Sequence, residues 1–225
     1  MERIVFGTLP YDVAHLLGGA VLLLSFTLLS QRRMAATINT YALQAVVLAS
    51  AAFWQGYVQH APHLYLTGVI ALAAKGVIIP LALHRLVRRL KLSHAVETAL
   101  GIFPTMLLGV ALVTLSIMVV LPTTVQSQAL TREDLALALS VVLLGLLMMI
   151  TRRSALTQVI GFMSLENGLI LAAVSVEGMP LVVELSVAVL VLVAFVVFGT
   201  FFLRLRAQFD SLDTSHLDRV GSAHR

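Results

Sequence analysis

Seven stretches of this chain are too apolar and too long to fold in water: residues 13–30, 35–58, 64–83, 98–121, 135–150, 156–176 and 181–203. A helix that crosses the hydrocarbon core of a bilayer needs about 20 predominantly apolar residues. Inside hydrocarbon, each backbone N–H and C=O must also find a partner within the protein, and a helix provides one locally. The runs therefore predict an all-α fold, a polytopic bundle of seven transmembrane helices in one domain over residues 1–225. Composition points the same way. Of the 225 residues, 59% are hydrophobic and 12% charged, more apolar surface than a globule of this size can hide from water. The run at 135–150 is the shortest.

The segments between the runs alternate in charge. Arg32 and Arg33 follow the first run, Arg85, Arg88, Arg89 and Lys91 the third, Arg152 and Arg153 the fifth, and Arg204, Arg206, Arg219 and Arg225 the last. Twelve of the fifteen basic residues thus share one side, while Arg3 and Arg132 stand on the other. Basic residues in short loops mark the cytoplasmic side. The N-terminus is then expected outside and the C-terminal tail, 204–225, in the cytoplasm. Dropping the short fifth run would break this alternation. The same placement explains the net charge of +4 without nucleic acid. The first run has one arginine before it and two after it, the reverse of a cleaved signal, so it is read as a retained helix. A multi-pass protein of a bacterial or archaeal cytoplasmic (inner) membrane is expected.

Two residues oppose this apolar setting. Lys75 lies well inside the third run and Glu166 well inside the sixth. At about 1.5 Å per residue, both fall near mid-membrane, where a charge costs about 3 kcal/mol on insertion scales. One reading is a static ion pair that specifies helix packing. The other is a proton-relay site, where a carboxylate and an amine withdrawn from water exchange a proton. Glu184 is a third intramembrane charge, three residues into the last run, where it can reach interfacial water. Pro80 follows Lys75 by five residues. It removes one backbone donor, which predicts a kink and an orphaned carbonyl at Gly76 beside the lysine.

The sixth run carries a stripe of small residues, Gly161, Ser164, Gly168, Ala172 and Ser175. Such a stripe lets a second helix approach closely. Glu166 lies roughly opposite, among Phe162, Leu169, Ile170 and Ala173, so both faces of this helix are expected to contact protein. Other chemistries find no footing. The chain has no cysteine, which excludes thiolate-held clusters and disulfides within it. Its seven histidines lie near helix ends or in loops, which argues against a bis-histidine haem. The last run holds no lysine for retinal, and no phosphate-binding glycine loop is present.

The stretch QVIGFMSLENGLILA, from Gln158, resembles the component E family of hydrogenase-4 and formate hydrogenlyase. The family's core, Met or Leu followed by Glu-Asn-Gly, corresponds to Leu165, Glu166, Asn167 and Gly168. KGVIIPL from Lys75 is similar to the family's lysine-and-proline helix. PLVVEL from Pro180 is similar to the start of its last helix, and SLDTSHL from Ser211 to its cytoplasmic tail. The resemblance implies that the last three helices, 135–203, are similar to the small three-helix subunit of respiratory complex I. Glu166 then matches that subunit's key membrane glutamate, Lys75 the family lysine and Glu184 the family's last-helix glutamate. It further implies partners: antiporter-like membrane subunits and a peripheral redox arm holding a nickel–iron centre and iron–sulfur clusters, none of which this chain would bind. One departure stands out. Leu190 occupies the place where family members commonly carry an aspartate, so the chain has one acidic site fewer along a lateral proton path.

The function expected from the sequence is a non-catalytic membrane subunit of a hydrogenase-type, complex I-like oxidoreductase. It would carry part of a lateral proton path through Glu166 and Lys75, with Glu184 peripheral. Two alternatives remain open at this stage. One is a subunit of a cation/proton antiporter-like assembly without a redox arm, and the other is a structural anchor whose buried charges only specify packing.

Overall fold

Each apolar run in the described part of the chain becomes a helix, and several of its hydroxyl side chains bond within it. Ser25 donates to Val21 O, Ser50 to Val46 O, Ser140 to Ala136 O and Ser175 to Leu171 O, all one turn back. A hydroxyl bonded to its own helix brings no unsatisfied donor into hydrocarbon. The computed structural model describes residues 9–89, 99–123 and 129–175. In chain order these form α1 (Leu9–Ser30), α2 (Met34–Val58), α3 (Pro62–Ile70), a π-helical segment (Ala71–Ile78), α4 (Ile79–Arg89), α5 (Ile102–Thr123), α6 (Ala129–Thr151) and α7 (Ala155–Ser175). The elements α3, π segment and α4 run on as one span. Among the described residues there is no strand, and six helices are long and apolar enough to cross a membrane. The seventh expected run, 181–203, lies outside the described residues, as do Glu184 and Leu190. The chain divides into two compact units, Met1–Met179 and Pro180–Arg225, and every described residue belongs to the first.

The fifth run differs from its expected extent. It was expected over 135–150, whereas α6 begins at Ala129 and continues to Thr151. Arg132, Glu133 and Asp134 are helical, not loop. Carboxylates in the opening turns of a helix are favoured by its dipole, and charges at the end of a span can stay in water.

The region around Pro80 also differs from a simple kink. The chain passes through eight residues of π-helix before the proline, and Ile79 N–H bonds Ala74 O, five residues back rather than four. The change in register therefore precedes Pro80 and is centred on Lys75. Wide turns of this kind put an extra residue into a helix and re-aim its side chains.

Helices α1, α2, α6 and α7 meet in an apolar centre made of Val21, Leu48, Ala51, Ala138, Val141 and Leu171. The closest approach is between α6 and α7. A Cβ on Gly145 would stand 2.5 Å from Leu165 N, and one on Gly168 would stand 2.8 Å from Val142 N. At Gly161 the distance would be 3.1 Å to Met149 N. Glycine is needed at such places because another backbone occupies the side-chain position. Gly76 is different, since a Cβ there would meet Leu72 and Val46 at 3.5 and 3.6 Å, ordinary contact.

Two polar contacts tie the ends of the bundle. At one end, the Arg152 guanidinium donates from Nη2 to Leu28 O and Leu29 O at 2.9 and 2.8 Å. It thereby caps carbonyls of the last turn of α1, where Leu28 O also accepts from Gln31 N–H at 3.4 Å. Arg152 is 2% exposed although it sits in a connecting segment, and burial lowers its pKa from the ordinary arginine value. At the other end, His15 on α1 stands 2.9 Å from Asp134 and 3.3 Å from Glu133 on α6. Between α2 and α3, His60 adopts a left-handed backbone with φ of 51°. Ala61 N–H there bonds Gly56 O, the helix-ending hydrogen bond that usually surrounds a glycine.

Candidate functional site

Three elements bring the two mid-membrane charges together. The π segment carries Lys75, α7 carries Glu166, and α2 packs against both. Lys75 Nζ lies 3.0 Å from Glu166 Oε2. The two residues are 5% and 2% exposed. A buried ion pair persists only where its geometry and surrounding hydrogen bonds offset the loss of water. The lysine has such a bond, because Nζ donates to Asn167 Oδ1 at 2.9 Å. The glutamate does not: both of its oxygens are buried without a well-directed hydrogen bond. The carboxylate is therefore held chiefly by the charge of the lysine.

Around the pair lies a polar network that spans four helical segments. Asn167 Nδ2 donates to Gln44 Oε1 on α2 at 3.2 Å. Gln44 Nε2 donates to Ser25 Oγ on α1 at 2.8 Å and to Ser164 Oγ on α7 at 3.1 Å. Gln44 and Asn167 are fully buried. Tyr41, one turn before Gln44 on α2, is also fully buried, and its hydroxyl has no hydrogen-bond partner. A hydroxyl left unpartnered in such a place costs about 1–3 kcal/mol.

The residues singled out in the sequence are placed as follows. Lys75 and Glu166 touch. Pro80 is buried two residues beyond the π segment. Gly161 and Gly168 face α6 across the tight seam, and Ser164 on the same stripe reaches Gln44. Glu184 lies outside the described residues. The sequence reading missed Gln44, Ser25 and Tyr41, because inside the runs it weighed charges, the proline and the small-residue stripe, and not isolated uncharged polar side chains. A glutamine in the middle of the second run was the available signal. It also missed the contact of His15 with Asp134 and Glu133. Those residues stand 119 positions apart in the case of Asp134, and no local pattern links them. Among the described residues, no group of three or more His, Cys, Asp or Glu side chains is placed to hold a metal ion.

Comparison with known proteins adds the following. No family profile matches the chain, and no solved structure matches it. It is 30% identical over 201 residues to the uncharacterised protein Rv0085 of Mycobacterium tuberculosis, covering 88% of this chain and 91% of that protein. It is 26% identical over 207 residues to hydrogenase-4 component E of Escherichia coli K12, covering 91% of this chain and 95% of that protein. The same figures hold for hydrogenase-4 component E of Shigella flexneri. The chain and these relatives are thus matched over nearly their whole length, and the chain is similar to hydrogenase-4 component E along most of its sequence.

Proposed function

We propose that this chain is a non-catalytic integral membrane subunit of a group 4 hydrogenase-type, complex I-like oxidoreductase of the inner membrane. In this reading Glu166 and Lys75 carry part of a lateral proton path. Antiporter-like membrane subunits stand beside the chain, and a peripheral redox arm supplies the nickel–iron centre and iron–sulfur clusters. One observation carries the proposal: a lysine and a glutamate, both nearly inaccessible to water, paired at 3.0 Å between two helices of a membrane bundle. The likeness to hydrogenase-4 component E of Escherichia coli and Shigella flexneri supports the hydrogenase setting.

The pair has the chemistry a relay needs. Removal from water favours the neutral form of each group, and the partner's charge favours the ionised form. A small change in separation then shifts the balance and moves a proton. Glu166→Gln keeps shape and hydrogen-bonding capacity but cannot ionise. Vesicles containing the assembled variant complex are expected to keep the redox half-reaction and to take up fewer protons per electron. An unchanged ratio ends the relay reading.

The amides around the pair favour a second reading, in which the charges only fix helix packing. It predicts that neutral replacements are tolerated or even stabilising, with coupling intact. Co-purification separates both readings from the antiporter-like alternative. A nickel–iron large subunit among the partners supports the hydrogenase assignment, and an assembly with antiporter-like subunits alone removes it.

A further inference from the structure

We propose that Gln44 is a positioning residue of the Lys75–Glu166 pair and acts through Asn167. The inference rests on Glu166 being a group that changes protonation.

The case follows from donors and acceptors. A carboxamide carries one acceptor oxygen and one NH2, and when buried it must turn each toward its complement. The Ser25 hydroxyl donates its hydrogen to Val21 O at 3.0 Å, so it offers Gln44 only lone pairs. Nε2 is the end of Gln44 that satisfies it, at 2.8 Å. The other Nε2 hydrogen reaches Ser164 Oγ at 3.1 Å. Gln44 Oε1 is thereby turned toward Asn167 and can only accept. Asn167 must present Nδ2, at 3.2 Å. Its remaining end, Oδ1, meets Lys75 Nζ at 2.9 Å. One hydroxyl hydrogen, committed inside α1, thus orients two amides in series and delivers an acceptor to the lysine.

The consequence is electrostatic. An oxygen at Lys75 stabilises the ammonium and holds it beside Glu166. An Asn167 side chain turned the other way would present an NH2 and oppose that charge. Amides conduct protons poorly, so Gln44 is assigned to orientation and not to the path. Each of the six groups is at most 5% exposed, which leaves water little room to replace a lost partner.

The test uses the assembled complex in lipid nanodiscs. Infrared spectra give the ratio of neutral to ionised Glu166 at fixed pH, with its bands identified as those lost in Glu166→Gln. Gln44→Met removes the amide at similar volume. It is expected to raise the neutral-to-ionised ratio about tenfold, the size of one hydrogen bond to a charged group. Asn167→Leu is expected to do the same, and the double variant to change the ratio no further than either alone. Ser25→Ala alters little volume and is expected to move the ratio the same way by less. An unchanged ratio in Gln44→Met, or effects that multiply in the double variant, overturns the proposal and leaves Gln44 a packing residue. Where Gln44→Met fails to assemble, Ser25→Ala decides, and an unchanged ratio there overturns it. The relay reading fails separately, by unaltered proton uptake in Glu166→Gln, and that outcome does not depend on whether the ratio responds to Gln44.

Discussion

Neutralising one partner of a buried ion pair differs from neutralising both. Lys75→Met leaves the Glu166 carboxylate without its cation, and such a break costs about 3–5 kcal/mol unless the carboxylate takes up a proton. Lys75→Met is therefore expected to lower the thermal stability of the assembled complex, and adding Glu166→Leu to restore most of the loss. A double variant as unstable as the single would show that the pair is not the source of the loss. Tyr41 gives the opposite expectation. Its hydroxyl is buried and unpartnered, so Tyr41→Phe should raise stability by about 1 kcal/mol, read as a higher melting temperature. A loss on that substitution would reveal a partner for the hydroxyl. At this scale the sequence was legible where a charge stood alone in an apolar run, as with Lys75 and Glu166. It was not legible where the residue was polar and uncharged. Gln44 is as deeply buried as either charge, but its cost is met by partners on α1 and α7 that only tertiary structure supplies.

At the scale of the helix, the seam between α6 and α7 depends on backbone proximity. Gly145→Val would place side-chain atoms where Leu165 backbone lies, and overpacking of this kind costs about 1–3 kcal/mol. Gly76→Ala meets only ordinary contacts and should change stability by less than about 0.5 kcal/mol. Thermal unfolding of the two variants side by side checks both, and equal losses would contradict the seam. The small-residue stripe on α7 was readable because its spacing repeats along one helix face. Gly145, its counterpart on α6, stood alone among leucines, and only the crossing of the helices explains it. The length of α6 was hidden for another reason. Arg132, Glu133 and Asp134 read as loop by polarity, yet a span can begin in water before it enters hydrocarbon.

For the molecule as a whole, the loop charges give a testable expectation of the arrangement in the membrane. Reporters fused after Arg89 and Arg153 are expected to read cytoplasmic, and reporters near Gln59 and Gln126 external. A cytoplasmic reading at Gln126 would break the alternation and remove the seven-helix arrangement. The number of described spans and their order were plain from hydropathy, because hydrocarbon imposes the same demand on every run. The neighbours of each span were not, since lipid and protein are equally apolar. Helix α5 illustrates this, with Phe103, Leu107, Val110 and Met118 all more than half exposed. These side chains are suited either to lipid or to another subunit.

The π segment makes chain length itself a determinant of the site. An offset of five between Ile79 and Ala74 holds one residue more than an α-helical path between the same points. Removing a single residue between Ala71 and Lys75 would let the span relax to an ordinary helix. The α-helical turns on either side would keep their faces, because the wide turns hold the extra residue between them. Lys75, inside the segment, would be re-aimed away from its 3.0 Å contact with Glu166. A chain shortened by one residue here would lose the ion pair with every named side chain still in its sequence.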